Sequence, residues 1–208
     1  MNIILVGIQG SGKGTQAKFL SKKFKLCHIS TGNLLRNITG DRKKEIDSLI
    51  NNGKLVPDKT ILEILKERMI QDDCENGIIL DGFPRNIEQA KLLEKELNIQ
   101  KVIEIQISDQ ESEKRLMGRI SCPKCGIDYN IYTAPKPQKE GFCDKCGSQL
   151  TRRKDDNEES IKKRIKTYHE ETKPILNYYK NKLITVNGEQ SIEDVSKEIL
   201  KKISNSPL

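Results

Sequence analysis

The sequence contains no tryptophan, and aromatic residues make up only 4% of its 208 residues, whereas charged residues make up 32%. A hydrophobic core must therefore consist mainly of Ile, Leu and Val. No apolar run is long enough to span a membrane, and the first apolar run, residues 3–6, is too short for a signal peptide. These absences predict a soluble, cytoplasmic protein without a membrane partner.

The length allows one core of ordinary size with a small insertion, and two full domains are not expected. The formal net charge is +7, from 37 Lys and Arg against 30 Asp and Glu. Such a balance favours polyanionic partners, which include nucleic acid, an acidic membrane surface and small phosphorylated ligands. The charge alone does not choose among them.

Short apolar runs alternate with longer amphipathic stretches along most of the chain. The runs that predict strands are residues 3–6, 26–29, 78–80, 102–107 and 183–186. Helical spacing is found in residues 15–24, 58–70, 87–97 and 110–119, and again around Ile161, Ile165, Tyr168 and around Ile192, Val195, Ile199. This alternation predicts an α/β fold of three layers, in which helices cover both faces of a five-stranded parallel sheet.

Two segments interrupt the alternation. Residues 30–56 contain two short helical patterns with no strand between them and are expected to form a helical insertion. Residues 120–153 contain both cysteine pairs and many turn formers, which predicts a small inserted lid. The core is then formed by residues 1–29, 57–119 and 154–208.

The strongest local motif is the glycine loop Gly7 to Thr15, GIQGSGKGT. It follows an apolar strand and opens a helical pattern, which is the context of a phosphate-binding loop. Glycines let successive N–H groups converge on phosphate oxygens, the helix adds its positive end, and Lys13 reaches the outer phosphates. The alternative is a tight turn without a ligand, which the combination of strand, lysine and helix disfavours.

The six cysteines include two Cys-x-x-Cys-Gly motifs, and they predict a structural metal site. The four ligands are Cys122, Cys125, Cys143 and Cys146. This spacing is typical of a four-cysteine zinc site with no open position for water. The alternatives are a disulfide or no metal. Cys27 and Cys74 lie outside the motifs and are expected to be ordinary buried or partly buried thiols.

The loop continues to Ala17 in the form GxxGxGKGTQA, which resembles adenylate kinases and related nucleoside monophosphate kinases. Further similar motifs follow in family order: STGNLLR at residues 30–36, GKLVPD at 53–58, DGFPR at 81–85 and RKDD at 153–156. Three features depart from the family pattern: Gln9 where proline is common, Asn33 where aspartate is common, and a shorter segment at residues 38–45.

The resemblance implies a phosphotransferase with a phosphate acceptor. The reaction would be the reversible, Mg²⁺-dependent conversion of ATP and AMP into two ADP, which maintains adenine nucleotide balance. The resemblance also implies a monomer with a zinc-bearing lid that binds no nucleic acid.

The resemblance also implies roles for individual residues. Arg36 and Arg85 would grip the AMP phosphate, and Arg115 would stack on the ATP adenine. Asp81 is placed by its position instead: it ends the apolar run 78–80 at the carboxyl edge of the sheet, where it would hold Mg²⁺ through water. The alternative is a helix cap for the segment that starts near Asn86. The implied catalytic residues are Lys13, Arg85, Arg119, Arg153 and Arg164. The implied ATP-binding residues are Gly10, Ser11, Gly12, Lys13, Gly14, Thr15, Arg115, Arg119 and Gln190. The implied AMP-binding residues are Thr31, Arg36, Lys54, Val56, Gly82, Arg85, Gln89, Arg153 and Arg164.

Other interpretations remain open from the residues alone. A lone arginine is usually a solvated surface residue. Asp155 and Asp156 precede a helical pattern, and part of this acidic run would simply favour the amino terminus of that helix. The acceptor could be another nucleoside monophosphate. A zinc ribbon on an ATPase could also bind nucleic acid, although no aromatic platform accompanies the basic residues of the ribbon.

Overall fold

A computed structural model describes residues 1–40, 43–51 and 56–205 of the chain. A 3₁₀ turn, Asp72–Cys74, and a π-helical stretch, Tyr168–Thr172, complement the strands and helices. The elements in chain order are β1 (Ile3–Val6), α1 (Lys13–Phe24), β2 (Cys27–Ser30), α2 (Thr31–Asn37), α3 (Lys43–Asn51), α4 (Asp58–Met69), β3 (Ile78–Asp81), α5 (Ile87–Glu96), β4 (Lys101–Gln106), α6 (Asp109–Met117), β5 (Arg119–Ser121), β6 (Asp128–Asn130), α7 (Glu158–Thr167), α8 (Pro174–Tyr178), β7 (Leu183–Asn187) and α9 (Ile192–Asn205). Among the described helices, none combines the length and apolarity that crossing a bilayer requires.

The main sheet has five strands in the order β2-β3-β1-β4-β7, and all neighbours are parallel. The predicted five-stranded parallel sheet is therefore confirmed. In register, Ile3 of β1 lies between Ile79 of β3 and Lys101 of β4. Because every strand runs the same way, the carboxyl ends of β1, β2 and β3 meet at one edge, where ligands bind in such folds.

Side-chain alternation along the strands builds two hydrophobic layers. In β1, Ile4 and Val6 face a cluster that includes residues of α4, α5 and α8. Ile3 and Leu5 face the opposite cluster, which α1 and α9 complete. Buried strands covered on both faces explain why their sequences are apolar at nearly every position.

Two details of the sequence interpretation needed correction at the start of the lid. The helix predicted for residues 110–119 ends at Met117, and Arg119 begins β5 instead. The backbone turns at Gly118, and Arg119 then pairs with Asn130 of β6 in an antiparallel hairpin. Strands of three residues are too short to show an alternating pattern in the sequence, so β5 and β6 were not predicted.

Candidate active site

The glycine loop connects the buried strand β1 to α1. Gly10 and Gly12 have positive φ angles of 81° and 96°, a region that favours glycine. A Cβ on Gly10 would lie 3.2 Å from the carbonyl oxygen of Ser112, so the loop also packs closely against α6. The loop leads directly into α1, whose amino terminus is the positive end of the helix dipole.

The side chain of Lys13 lies inside this loop. Its Nζ donates hydrogen bonds to the carbonyl oxygens of Gly7 at 2.7 Å and Ile8 at 2.9 Å. Burial lowers the pKa of Lys13 to about 8, and the nearby Asp81 carboxylate opposes that shift. The amine is thus a desolvated group placed where the loop would receive phosphate oxygens.

Asp81 ends β3 and faces the loop from the neighbouring strand. A Cβ on Gly14 would lie 3.4 Å from Asp81 Oδ2, and His28 Nε2 lies 3.6 Å from the same oxygen. Burial alone would raise the pKa of Asp81, but the His28 imidazole and the charges of Lys13 and Arg85 outweigh burial and lower it. Asp81 is therefore an ionised carboxylate beside the glycine loop.

Six arginines line the same cleft, which encloses about 300 Å³. Arg115 is described separately below, and the other five come from separate parts of the chain: Arg36, Arg85, Arg119, Arg153 and Arg164. Burial and the charges of Arg153 and Arg119 lower the pKa of Arg36 to about 10, although Asp155 opposes the shift. Cations held this close repel one another, and a bound polyanion would relieve the repulsion.

Two aspartates that sequence reasoning did not single out for this purpose hold these arginines in place. Asp156 accepts hydrogen bonds from Arg119 Nε at 2.7 Å and Nη2 at 2.6 Å, and its Oδ1 also accepts from Arg164 Nη2 at 2.8 Å. Asp128 of the lid accepts from Arg153 Nη2 at 2.7 and 2.6 Å. The two nitrogens that Arg119 presents to one carboxylate fix the plane of its guanidinium, and Arg153 is held by Asp128 together with Ser121, whose Oγ accepts from Arg153 Nε at 3.0 Å.

The acidic run before α7 has two separate parts in the structure. Asp155 and Asp156 are each only 7% exposed, and both contact Arg164. The helix itself is capped by Asn157, whose side chain accepts from Ser160 N, and Glu158 lies in its first turn. Only the later residues of the run therefore favour the helix amino terminus, as the sequence analysis allowed for part of it.

One wall of the cleft is apolar with a single amide. Leu35, Val56 and Ile61 supply the apolar surface, and Gln89 of α5 supplies the amide. Gln89 is 1% exposed, so its polar atoms have partners within the protein or face the cleft. An apolar slot with one amide suits a flat heterocyclic base.

Gly82 forms part of the cleft wall and lies directly against Thr31. Its φ is 89°, and a Cβ there would lie 2.7 Å from Thr31 Oγ1 and 3.3 Å from Arg85 Nη2. Thr31 donates to the Asp81 carbonyl oxygen at 3.2 Å, which places its hydroxyl behind the wall. The close approach of these residues explains why only glycine fits at position 82.

The opposite end of the cleft contains Arg115. Its guanidinium donates to the carbonyl oxygens of Gly188 at 3.0 Å and Gly10 at 3.4 Å, which joins the loop after β7 to the glycine loop. The exposed Gln190 side chain instead donates to Glu198 at 2.7 Å, and the structure does not bring it to the cleft.

The other residues predicted to bind ATP or AMP differ in whether they line the cleft. Gly10, Gly12, Gly14 and Thr15 line the cleft, whereas Ser11 is buried behind the loop with 2% exposure. Lys54 lies outside the described residues.

The four lid cysteines form one cluster. Their Sγ atoms all lie within 4.8 Å of one another, and Sγ separations of 3.4 Å are found for Cys122–Cys146 and Cys125–Cys143. The Cys125–Cys146 separation is 3.8 Å. Sulfurs at about 2.3 Å from a tetrahedral zinc are separated by about 3.8 Å, so the cluster has the size of a zinc site.

Cys27 and Cys74 are buried free thiols, as expected from the sequence. With Asp73 they form a second close group of metal-ligand atoms. However, the guanidinium of Arg68 already contacts these ligand atoms. Its Nη1 lies 3.0 Å from Cys74 Sγ, and both of its terminal nitrogens bind the Asp73 carboxylate. A guanidinium at this distance opposes a bound cation.

Comparison with known proteins decides the family. The family model described as "Adenylate kinase" matches residues 5–184. The chain belongs to the adenylate kinase family. An adenylate kinase of Caldicellulosiruptor saccharolyticus is 46% identical over 98% of this chain and 99% of its own length. Those of Acetivibrio thermocellus and Thermodesulfovibrio yellowstonii are 43% and 42% identical, covering 100% and 96% of this chain and 100% and 97% of their own lengths.

The adenylate kinase match spans the site described above except Gly188 and Gln190, which lie beyond residue 184. It includes the glycine loop, all six cleft arginines and the lid with its four cysteines. The motifs that carried the resemblance therefore lie within the matched residues.

Proposed function

We propose that this chain catalyses reversible phosphoryl transfer between ATP and AMP, with the residue roles given below. The observation that carries the proposal is the convergence of Lys13 and the six arginines on one cleft beside the glycine loop. A binding site for one triphosphate needs fewer cations. This number of cations on one cleft suits two phosphorylated substrates that meet end to end.

ATP would occupy the end of the cleft formed by the glycine loop. Loop N–H groups would bind its phosphates, and Lys13 would exchange its carbonyl partners for phosphate oxygens. Arg115 lies at the mouth of this end, between Gly10 and Gly188, where it would cover the adenine face. Gln190 would contribute at most through its backbone, since its side chain binds Glu198.

AMP would occupy the apolar slot. Val56 would contact its base and Gln89 would bind the adenine edge, while Arg36 and Arg85 would bind its phosphate. Arg85 is fixed for this task because its Nε donates to the Gly82 carbonyl at 2.8 Å, which leaves the terminal nitrogens for the ligand. Thr31, which lies against Gly82, would support the wall of the AMP slot. Lys54 is proposed to bind AMP on the family resemblance alone.

Transfer itself needs alignment and charge rather than a general base. The attacking AMP phosphate is already an anion, so no proton must be removed before it attacks. Arg119, Arg153 and Arg164 would surround the oxygens of the transferring group, and their charge is present throughout the physiological pH range. Because Asp128 and Asp156 hold these guanidiniums beforehand, little reorganisation is needed when the substrates meet.

A magnesium ion fits the polar groups at the carboxyl end of β3. Asp81 is an ionised carboxylate beside the first turn of α1, and Thr15 lines the same cleft. Carboxylate and hydroxyl oxygens suit Mg²⁺, which keeps several of its waters, so Asp81 would hold it through water. Bound there, Mg²⁺ would neutralise charge on the ATP phosphates.

Zinc in the lid would be structural. The buried cluster of the lid consists of Cys122, Tyr129, Cys143 and Leu150, so thiols are half of it. Four thiolates would complete the zinc coordination without an open site, and the metal would supply stability that so small a core lacks. The lid would close over ATP and exclude water, as Asp128 and Arg153 already line the cleft from its side.

The other interpretations have less support in the structure. A different acceptor would have to use the same apolar slot and amide. A nucleic-acid-binding role would require an extended basic surface, whereas these arginines line a cleft, and Arg119, Arg153 and Arg164 already bind carboxylates. We retain a monomer that binds no nucleic acid as a prediction from the family resemblance.

Replacing each of two neighbouring arginines in turn tests this proposal directly. Arg153 lines the cleft, whereas Arg152 is exposed. We expect Arg153→Ala to lower kcat by about 10²-fold, because it removes a fixed cation from the transferring group. Arg152→Ala is the matched control and should keep wild-type kcat. Equal kcat values for the two variants, with equal melting temperatures, would contradict the assigned role of Arg153.

A further inference from the structure

The amide of Gln89 has a hydrogen-bond partner on each side. Its Oε1 accepts from the backbone N–H of Arg85 at 2.6 Å, and its Nε2 donates to Asp58 Oδ1 at 2.7 Å. Asp58 is the first residue of α4 and lies 31 positions away in sequence. Arg85 lies in the loop between β3 and α5, whereas Asp58 belongs to α4, and both bind the same buried side chain.

These partners fix which way round the amide lies. A backbone N–H only donates, and a carboxylate only accepts. Rotating the amide of Gln89 by half a turn would set its NH₂ against the Arg85 N–H and its oxygen against the Asp58 carboxylate. Both hydrogen bonds would become repulsive contacts. Gln89 is only 1% exposed, and unpaired polar groups are costly in so buried a place.

The fixed amide leaves one donor and one acceptor for a ligand. An amide has two N–H donors and two acceptor lone pairs, and one of each is used within the protein. The remaining pair matches a base edge that offers one acceptor beside one donor in the same order, as adenine does with N1 and the N6 amino group. Hypoxanthine reverses the order, because it has an oxygen at position 6 and a hydrogen on N1.

We propose that Asp58 is a positioning residue that locks the amide of Gln89 and thereby selects adenine over 6-oxopurines in the acceptor slot. The proposal rests on the AMP end of the cleft proposed above. Asp58 does not need to touch the nucleotide. It acts through Gln89, and the Arg85 backbone N–H supplies the other half of the lock.

A purely structural role for Asp58 is the competing explanation. Asp58 also accepts hydrogen bonds from Asn86 Nδ2 at 3.3 and 3.4 Å, which link the starts of α4 and α5. Asn86 caps α5 by accepting from the backbone N of Gln89. Asn86→Ser is therefore a matched control, because serine keeps a good helix cap but loses the bonds to Asp58.

The test measures equilibrium affinities of the full chain for AMP and IMP, which differ at the base edge that Gln89 would read. Asp58→Asn replaces an obligatory acceptor with a group that also donates. We expect the ratio of AMP affinity to IMP affinity to fall about tenfold in this variant, and the Asn86→Ser ratio to stay at the wild-type value. Asp58→Ser, which removes the charge with a smaller side chain, should lower the ratio as well and serves if Asp58→Asn does not fold.

The possible outcomes separate this proposal from the one on which it rests. If Gln89→Ala leaves the AMP affinity unchanged, the proposed AMP end of the cleft is wrong. If Gln89→Ala weakens AMP binding but the Asp58 variants keep the wild-type ratio, the slot stands and the lock is overturned. Equal loss of affinity for both nucleotides in the Asp58 variants would likewise show a merely structural role.

Discussion

Replacement of Lys13 by alanine is expected to lower the rate of phosphoryl transfer by about 10³-fold and to leave the fold intact. Lys13 is the cation that the glycine loop encloses, and its amine lies within hydrogen-bonding distance of Gly7 and Ile8. The variant would keep the loop N–H groups and therefore some ATP binding. It would lose the positive charge that stabilises the phosphate oxygens in the transition state.

The stability of the same variant offers an independent readout. Burial lowers the pKa of Lys13 to about 8, below its ordinary value of 10.5. A lowered pKa means that the fold disfavours the protonated form, so this group destabilises the protein fully below pH 8 and progressively less as the pH rises toward 10.5. We expect the melting temperature of Lys13→Ala at neutral pH to equal or exceed that of the wild type.

Lys22→Ala is the matched control for Lys13→Ala. Lys22 lies on the same helix but in its exposed last turn. Its replacement should leave the rate unchanged. If Lys13→Ala retained more than a tenth of wild-type activity, the assignment of the glycine loop to phosphate binding would fail.

Loss of the lid metal should have the second large effect. We expect Cys143→Ser, or removal of zinc with a chelator, to lower the melting temperature by about 10 °C. The reason is the small size of the lid core, in which Cys143 is 3% exposed and packs with Cys122, Tyr129 and Leu150. Below the new melting temperature, the surviving enzyme should keep most of its activity, because no cysteine touches the reacting groups.

Zinc analysis of two serine variants separates the metal from simple packing. Cys143→Ser should lose the single bound zinc, whereas Cys74→Ser, which changes a buried thiol outside the lid cluster, should keep it. An unchanged melting curve after verified metal loss would refute the structural role of zinc. So would a wild-type preparation that contains no metal and melts at the same temperature as a zinc-loaded one.

The features that were predictable from the sequence depend on local order. The glycine loop and the two cysteine pairs each occupy a few consecutive residues, so their spacing reveals their geometry. The strands were predictable because burial on both faces makes them apolar at consecutive positions, as in Ile3–Val6. Their parallel direction was predictable because a helix lies between successive strands.

The contacts that hold the arginines were not predictable in the same way. Arg119 binds Asp156 across 37 positions, and Arg153 binds Asp128 across 25. No local period connects these pairs, and an aspartate near a helix start has a simpler explanation in the helix dipole. The signal that would have found them is an excess of acidic residues beside implied cleft arginines, since buried cations need partners.

The cleft arginines themselves came from the family resemblance rather than from their pattern. The structure brings Arg36, Arg85, Arg119, Arg153 and Arg164 together on one cleft. By contrast, Gln190 was implied by the same resemblance, and its side chain lies outside the cleft. A resemblance transfers positions along the chain, whereas the direction of an exposed side chain depends on its neighbours in this protein.

The measurement that tests the central claim most directly is a panel of phosphoryl acceptors. AMP, CMP, UMP and GMP would each be supplied with ATP and Mg²⁺, and the products would be identified and counted. We predict that AMP is the preferred acceptor and that each ATP consumed with it yields two ADP, with no net release of inorganic phosphate. Preference for another monophosphate, or ATP hydrolysis without transfer to AMP, would contradict the account.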